Sequence, residues 1–255
     1  MGFFYFYTMN IKQYLDSTYL KTAAQAGISE NDTKTIVQEF VQEAIEEDFK
    51  LVMIRPEMVA MARKLIDNTK SKVQIGTVIS FPEGTNSLDQ KLEEALQAIK
   101  NGADDLDFVC NYTAFKNGEI DLVKNEIIEG TKLGLTHRKV VKWIIEVAAL
   151  TDMQIIQLSA LIKNVIISNF KEECFPNVFV KSSTGFYKTQ NNKPNGATIP
   201  TIIMMLENAS PLPVKAAGGV RTYEEAQQMI SLGVKRIGTS AAKTIANGQI
   251  SISDY

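Results

Sequence analysis

The sequence predicts an α/β protein built as a single (β/α)8 TIM barrel, and three observations carry that prediction. Eight short β-like runs alternate with amphipathic helical stretches from about Ile11 to Ala246, and alternation of this kind specifies parallel strands joined by right-handed crossovers. Eight units in about 240 residues fit a closed barrel better than an open sheet. No Pro/Gly/Ser linker or low-complexity stretch marks a boundary, so one domain over residues 9–247 suffices.

In chain order the runs are IKQYLD (11–16), KLVMI (50–54), VQIGTVI (73–79), DLDFVC (105–110), VVKWIIE (140–146), VFVKSS (178–183), PVKAAGG (213–219) and VKRIGTS (234–240). Between the first two, Val37, Phe40, Val41, Ala44 and Ile45 recur at helical spacing. Leu88, Leu92, Ala95, Leu96 and Ile99 do the same before the fourth run and stop at Gly102, a residue suited to end a helix. Ile155, Leu158, Leu161, Ile162, Val165, Ile166 and Phe170 form a long apolar stripe that reads as a helix or, at NVIIS (164–168), as a strand.

The composition, 45% hydrophobic and 22% charged over 255 residues, is that of a globular protein able to bury a large core. A net charge of −2 with no run of Lys or Arg supplies no cationic footprint, so neither nucleic acid nor a membrane surface is expected as a partner. Cys110 and Cys174 lack CxxC spacing and the single His137 has no nearby ligand partner, which points to a reducing compartment and to neither a disulfide framework nor a zinc site. His137, beside Arg138, reads as a surface residue. The opening MGFFYFYT is too short to span a bilayer and lacks a basic n-region. It reads as an N-terminal extension (1–8), a leader or the product of an alternative start.

In such a barrel chemistry sits at the C-terminal ends of the strands. Lys181 ends the sixth run, where the period of two gives it one face with Phe179 while Val178 and Val180 point the other way. If that face is the barrel interior the amine is desolvated; otherwise it snorkels out at the strand end. Lys215 ends the seventh run at a similar height. Two ammonium groups in a poorly hydrated site repel, and burial also disfavours charge, so at least one should titrate well below ~10.4, leaving a nucleophile able to form a Schiff base with a carbonyl. The expectation is that Lys181 is uncharged at neutral pH.

Asp107, with the parity of Asp105, lies further along the fourth run; it either passes protons through a water or makes a plain ion pair with a barrel lysine. Asp104 and Asp105 read as acids that cap or begin the strand. Lys142 and Glu146 share one face of the fifth run and either complete a charged network or form an internal salt bridge. Gly185, Gly218, Gly219 and Ser240 follow the sixth, seventh and eighth runs, the last before a short helix. Backbone N–H groups in such turns bind phosphate without a dedicated cation.

The segments LDSTYLK (15–21), IGTVISFPEG (75–84), EEALQAIKNGADDLDFVCN (93–111), KWIIEVAALTD (142–152), FVKSSTGF (179–186) and VKAAGGVRTYEEAQQMISLGVKRIGTS (214–240) resemble the deoxyribose-phosphate aldolase family, class I aldolases on a (β/α)8 barrel. The resemblance spans Ile11 to about Asn247. It implies a lyase that reversibly cleaves 2-deoxy-D-ribose 5-phosphate to acetaldehyde and D-glyceraldehyde 3-phosphate. It also implies that Lys181 forms the Schiff base, Lys215 lowers its pKa and Asp107 is the acid/base. Asp16, Thr18 and Thr184 match positions that line the substrate pocket, and Gly185, Gly218, Gly219 and Ser240 match the phosphate loops; Lys142 is read from its place on the fifth run as support for the charged network. No metal or organic cofactor is expected, and the expected partners are the phosphosugar, the aldehydes and a second copy of the chain in a cytoplasmic homodimer.

Five positions depart from the family pattern, one of them Ala217, where VKAAGG stands for VKASGG and one small residue replaces another. Ser17, Val147 and Ala148 raise the question of pocket shape, and Ala241 removes a hydroxyl beside Ser240. The tail at 248–255 ends in Tyr255, a position from which some family members are thought to relay a proton, although a terminal segment of this kind also reads as unordered chain. The competing readings are another phosphosugar class I aldolase and a catalytically silent phosphosugar-binding homologue.

Overall fold

The computed structural model describes residues 10–190 and 194–248. The extension at 1–8 and Tyr255 lie outside the described residues. Strands β1 (Leu15–Tyr19), β2 (Leu51–Ile54), β3 (Gln74–Ile79), β4 (Asp105–Val109), β5 (Val140–Ile144), β6 (Val178–Lys181), β7 (Val214–Ala217) and β8 (Arg236–Thr239) close a barrel in sequence order, with β8 pairing parallel to β1.

The crossovers carry α1 (Ala23–Ala26) and α2 (Glu30–Glu47), α3 (Val59–Asp67), α4 (Leu88–Lys100), α5 (Tyr112–Lys116) and α6 (Ile120–Thr136), then α7 (Asp152–Asn169), α8 (Ile199–Ala209) and α9 (Tyr223–Leu232). Helix α10 (Ala242–Ala246) follows β8. Local sequence sets several of these starts. Ser29, Ser87, Thr151 and Thr222 each accept the N–H three residues on, while Asp32, Gln90, Gln154 and Glu225 return a side-chain bond to the cap, an arrangement in which the cap alone contributes about 1 kcal/mol.

Two expectations, the start of the first strand and the buried face of α4, differ from the structure, and the choice left open at NVIIS is settled by it. Residues Ile11–Tyr14 form a 3-10 turn, and the first strand begins at Leu15, where pairing with β2 runs from Asp16 opposite Leu51 to Tyr19 opposite Ile54. The NVIIS stretch is helical throughout: Leu158, Ile162, Val165 and Ile166 are all buried on one side of α7, behind the Thr151 capping box. Helix α4 is turned from its expected face. Its most buried positions are Lys91, Ala95 and Ala98, because Lys91 Nζ is neutralised by Glu126 at 2.9 Å and also bonds the Val109 carbonyl at 3.1 Å.

Outward-facing strand residues pack against the helix ring. Behind β4 and β5, Phe108 stacks on Trp143 at 5.0 Å, and the indole N–H donates to Thr131 at 2.9 Å. A Cβ on Gly130 would approach the Trp143 ring to 2.9 Å, so glycine there lets α6 close on the barrel. That tight contact fixes the two strands whose opposite faces carry Asp107 and Lys142.

Candidate active site

Adjacent parallel strands in register point their side chains the same way, and the register aligns Lys181 with Lys215 and Lys215 with Arg236. Three neighbouring strands therefore present cations to the interior. Lys142, from β5, is a fourth. Opposite them stand three carboxylates, Asp16 on β1 and Asp105 and Asp107 on β4, all fully buried.

Asp107 is the hub. Its Oδ2 accepts from Lys181 at 2.8 Å and from Lys215 at 3.0 Å, while its Oδ1 accepts from Lys142 at 2.8 Å. Lys142 also donates to Asp105 at 2.6 Å, and Lys215 lies 2.5 Å from Asp16. Arg236 Nε donates to Asp16 at 2.7 Å. Burial alone would raise the Asp107 carboxyl, but the charges of Lys142, Lys181 and Lys215 outweigh it and hold the group well below the usual carboxylate range. Asp107 is thus held as an ionised carboxylate, the anion that three amines share.

Lys181 behaves differently from its neighbours. Burial is the largest influence, and with the repulsion of Lys215 and Lys142 it outweighs the attraction of Asp107, bringing the amine down to about 8. Lys142 moves upward instead, because Asp105 and Asp107 together overcome its burial. At pH 7 a pKa near 8 leaves on the order of a tenth of Lys181 neutral, so the expectation of an uncharged amine is corrected: a minority form is reactive at neutral pH. Desolvation, rather than the second lysine, is the leading cause.

Above this network lies a cavity at the C-terminal mouth of the barrel, with Lys181 in its lining together with Thr18, Thr184, Gly185, Gly218, Gly219 and Ser240. Asn195, Arg221 and Thr239 also line it and were not anticipated. Asp16, Lys142 and Lys215 do not line it. Asp16 and Lys142, expected beside substrate or supporting it, are fully buried and bonded to other barrel charges.

The phosphate-type loops are tied to one another. Ser183 Oγ bridges Glu146 Oε1 at 2.9 Å and the Asn195 carbonyl at 2.6 Å, and Asn195 Nδ2 donates to the Gly185 carbonyl at 3.1 Å. Gly196 lies so close to Gly218 that a Cβ on Gly218 would meet Gly196 Cα at 2.9 Å. Gly218 and Gly219 both have positive φ, 81° and 91°, which leaves their N–H groups free of the β geometry. Glu146 does not pair with Lys142. It turns back with φ 53° and accepts from the Thr184 N–H at 3.1 Å and from the Thr184 hydroxyl, so it anchors the loop after β6.

Of the positions that depart from the family pattern, Ala217 lines the cavity and the others do not. Asp16 and Thr18 point inward, so alternation turns Ser17 to the helix side, and Val147 and Ala148 line a separate surface groove beside Tyr187. Ala241 donates its N–H to Thr239 Oγ1 at 3.0 Å, within the turn that follows β8. His137 is exposed at the end of α6, and both cysteines are free.

Asp105 and Arg236 were missed as members of the site. Their signal was present in the period of two: Asp105 shares the face of Asp107, and Arg236 shares that of Gly238, whose missing side chain makes room for Lys215 Cε.

A family model described as DeoC/LacD family aldolase matches residues 18–251. The deoxyribose-phosphate aldolase of Thermococcus gammatolerans is 36% identical over 241 residues, which cover 94% of this chain and 96% of the relative. A solved structure described as QR15, an aldolase, superposes with a TM-score of 0.76 at 31% identity, covering 94% of this chain and 95% of its own. The deoxyribose phosphate aldolase of Aeropyrum pernix, described as a unique tetramer, gives a TM-score of 0.71 at 27% identity, covering 93% and 89%.

Proposed function

On the premise that this chain belongs to the DeoC/LacD family of aldolases, we propose that it cleaves 2-deoxy-D-ribose 5-phosphate reversibly to acetaldehyde and D-glyceraldehyde 3-phosphate through an imine on Lys181. The observation that carries this reading is the position of Lys181: among the described residues it is the one barrel lysine in the cavity lining, held at about 8 by burial.

The neutral Lys181 amine attacks the C1 aldehyde, and the resulting carbinolamine loses water to give a protonated imine. Asp107 Oδ2, shared between Lys181 and Lys215, is placed to take the proton released at the amine, and Lys215 to return one to the departing hydroxide. Acetaldehyde carries C1 and C2, so the bond that breaks is C2–C3. The C3 hydroxyl gives up its proton, through a water, to the Lys215 amine left neutral by the dehydration, as the C3 carbonyl forms, and the iminium takes up the electron pair as an enamine. Protonation at C2 and hydrolysis release acetaldehyde and regenerate Lys181. The iminium itself is the electron sink, so the route calls on no metal or organic cofactor.

The 5-phosphate is received by the turns at Gly185, Gly218, Gly219 and Ser240, with Thr18 and Thr184 lining the sugar path. Among the described residues no helix is long and apolar enough to cross a membrane, which is compatible with a cytoplasmic enzyme. The assembly we infer is a homodimer, since two-fold dimers are the commonest oligomers; light scattering separates it from the tetramer described for the Aeropyrum pernix protein. The extension at 1–8 and the tail at 248–255 stand outside the barrel domain in this reading, with Tyr255 a proton relay from that tail.

The test is product analysis with a Lys181→Leu control. Equimolar acetaldehyde and glyceraldehyde 3-phosphate from the unaltered chain, and none from the variant, are expected. Undiminished cleavage by Lys181→Leu, or no cleavage by either, refutes the reading.

A further inference from the structure

Six of the seven buried charges in the barrel close a ring. From Asp107 it passes to Lys215 (3.0 Å), to Asp16 (2.5 Å), to Arg236 (2.7 Å), to Asp105 (3.4 Å), to Lys142 (2.6 Å) and back to Asp107 (2.8 Å). Acids and bases alternate around it, three of each, so the ring as a whole is neutral. Lys181 hangs from it by Asp107 alone.

Resting on the reading of Lys181 as the imine-forming amine, we propose that Arg236 is a positioning residue for the aldol reaction. Its guanidinium supplies the third cation that closes and neutralises the ring, so that Lys181 is the surplus charge and the group that gives up its proton.

Two features make the assignment specific. Lys142 and Lys215 each contact two carboxylates, so removing a proton from either uncovers two buried anions, whereas Lys181 contacts one. A guanidinium also does not deprotonate in a protein, so Arg236 fixes the charge balance at any working pH, which a lysine in a buried site would not. Arg236 is absent from the cavity lining and, among the described residues, hydrogen-bonds Asp16 and pairs ionically with Asp16 and Asp105, so it acts through them rather than on substrate.

The charged groups facing Lys181 are Asp107 from β4, Lys142 from β5, Glu146 from the turn after β5 and Lys215 from β7. Asp16, Asp105 and Arg236 stand behind them. The Glu146 oxygens are taken by Ser183 and Thr184, an arrangement that changes at Arg236 or Asp105 leave in place.

The experiment reads the pH dependence of borohydride trapping at Lys181 with acetaldehyde as the probe. Arg236→Met leaves the ring one charge negative, Lys181 keeps its proton to compensate, and the midpoint rises by about one pH unit or more. Arg236→Lys returns it toward the unaltered value. Asp105→Asn leaves the ring one charge positive, and the midpoint falls; this variant tests the idea even if Arg236→Met fails to fold. A merely structural role would lower the yield in both variants without moving the midpoints in opposite directions. Trapping at Lys181 with midpoints that stay put, or that move the same way, overturns the role of Arg236. Failure to trap Lys181 in the unaltered protein overturns the proposed function instead.

Discussion

Lys181 and Lys215 donate to the same carboxylate oxygen, Oδ2 of Asp107, at 2.8 and 3.0 Å. Two like charges share that oxygen only because the anion between them offsets their repulsion. The arrangement gives one residue a structural and a chemical task at once, and its removal should show both.

Replacing Asp107 with Asn leaves three amines without their common anion. Breaking a buried pair by removing one partner typically costs about 3–5 kcal/mol, and loss of a positioned proton acceptor costs about 10²–10⁴ in rate. Urea unfolding and kcat measured on the same variant should both fall. A variant within tenfold of the parent rate would rule out Asp107 as the proton acceptor.

The pH profile follows from the sign of the Lys181 shift. Below about 8 the amine is protonated and unreactive, so kcat/KM should rise about tenfold per pH unit up to that value and level above it. Stability follows the same direction. The unfolded chain holds this proton up to ~10.4, so the contribution of Lys181 to stability is complete above that value and is lost as pH falls through about 8. A flat kcat/KM profile between pH 6 and 9 would contradict the assignment.

Gly238 is the quiet partner of Lys215. A Cβ there would lie 3.1 Å from Lys215 Cε and 3.3 Å from Ala217 Cβ, so Gly238→Ala should push the amine off the shared oxygen. We expect kcat to drop by about tenfold or more, given the sensitivity of rate to misplacements near 1 Å, with little change in KM. Unchanged kcat would show that the amine position has slack.

Glu146 holds the loop after β6 through Ser183 and Thr184. Glu146→Gln gives up one charged acceptor, worth ~1.5–3 kcal/mol when bonded. KM for the phosphorylated sugar should rise about tenfold, while kinetics on unphosphorylated 2-deoxyribose stay nearly constant. Equal losses on both sugars would place Glu146 in the chemistry rather than the phosphate loops.

The strand pattern made much of this legible. Lys181, Lys215 and Asp107 stand out because charged residues at alternate positions in apolar runs have to face a common interior, and Gly185, Gly218 and Gly219 because their backbone freedom follows strand ends. Three kinds of fact were not visible. The start of β1 depends on pairing with β2, which IKQY does not enter. The face of α4 depends on Glu126, 35 residues away, neutralising Lys91. The pairing of Arg236 with Asp16 depends on barrel closure, which brings β8 beside β1. A long-range charge partner leaves no local trace in sequence.

Borohydride reduction in the presence of acetaldehyde, followed by peptide mass analysis, reaches the central claim most directly. The account predicts a two-carbon adduct on Lys181 and its loss in Lys181→Leu. Label confined to other lysines, or an adduct that persists in the variant, would contradict it.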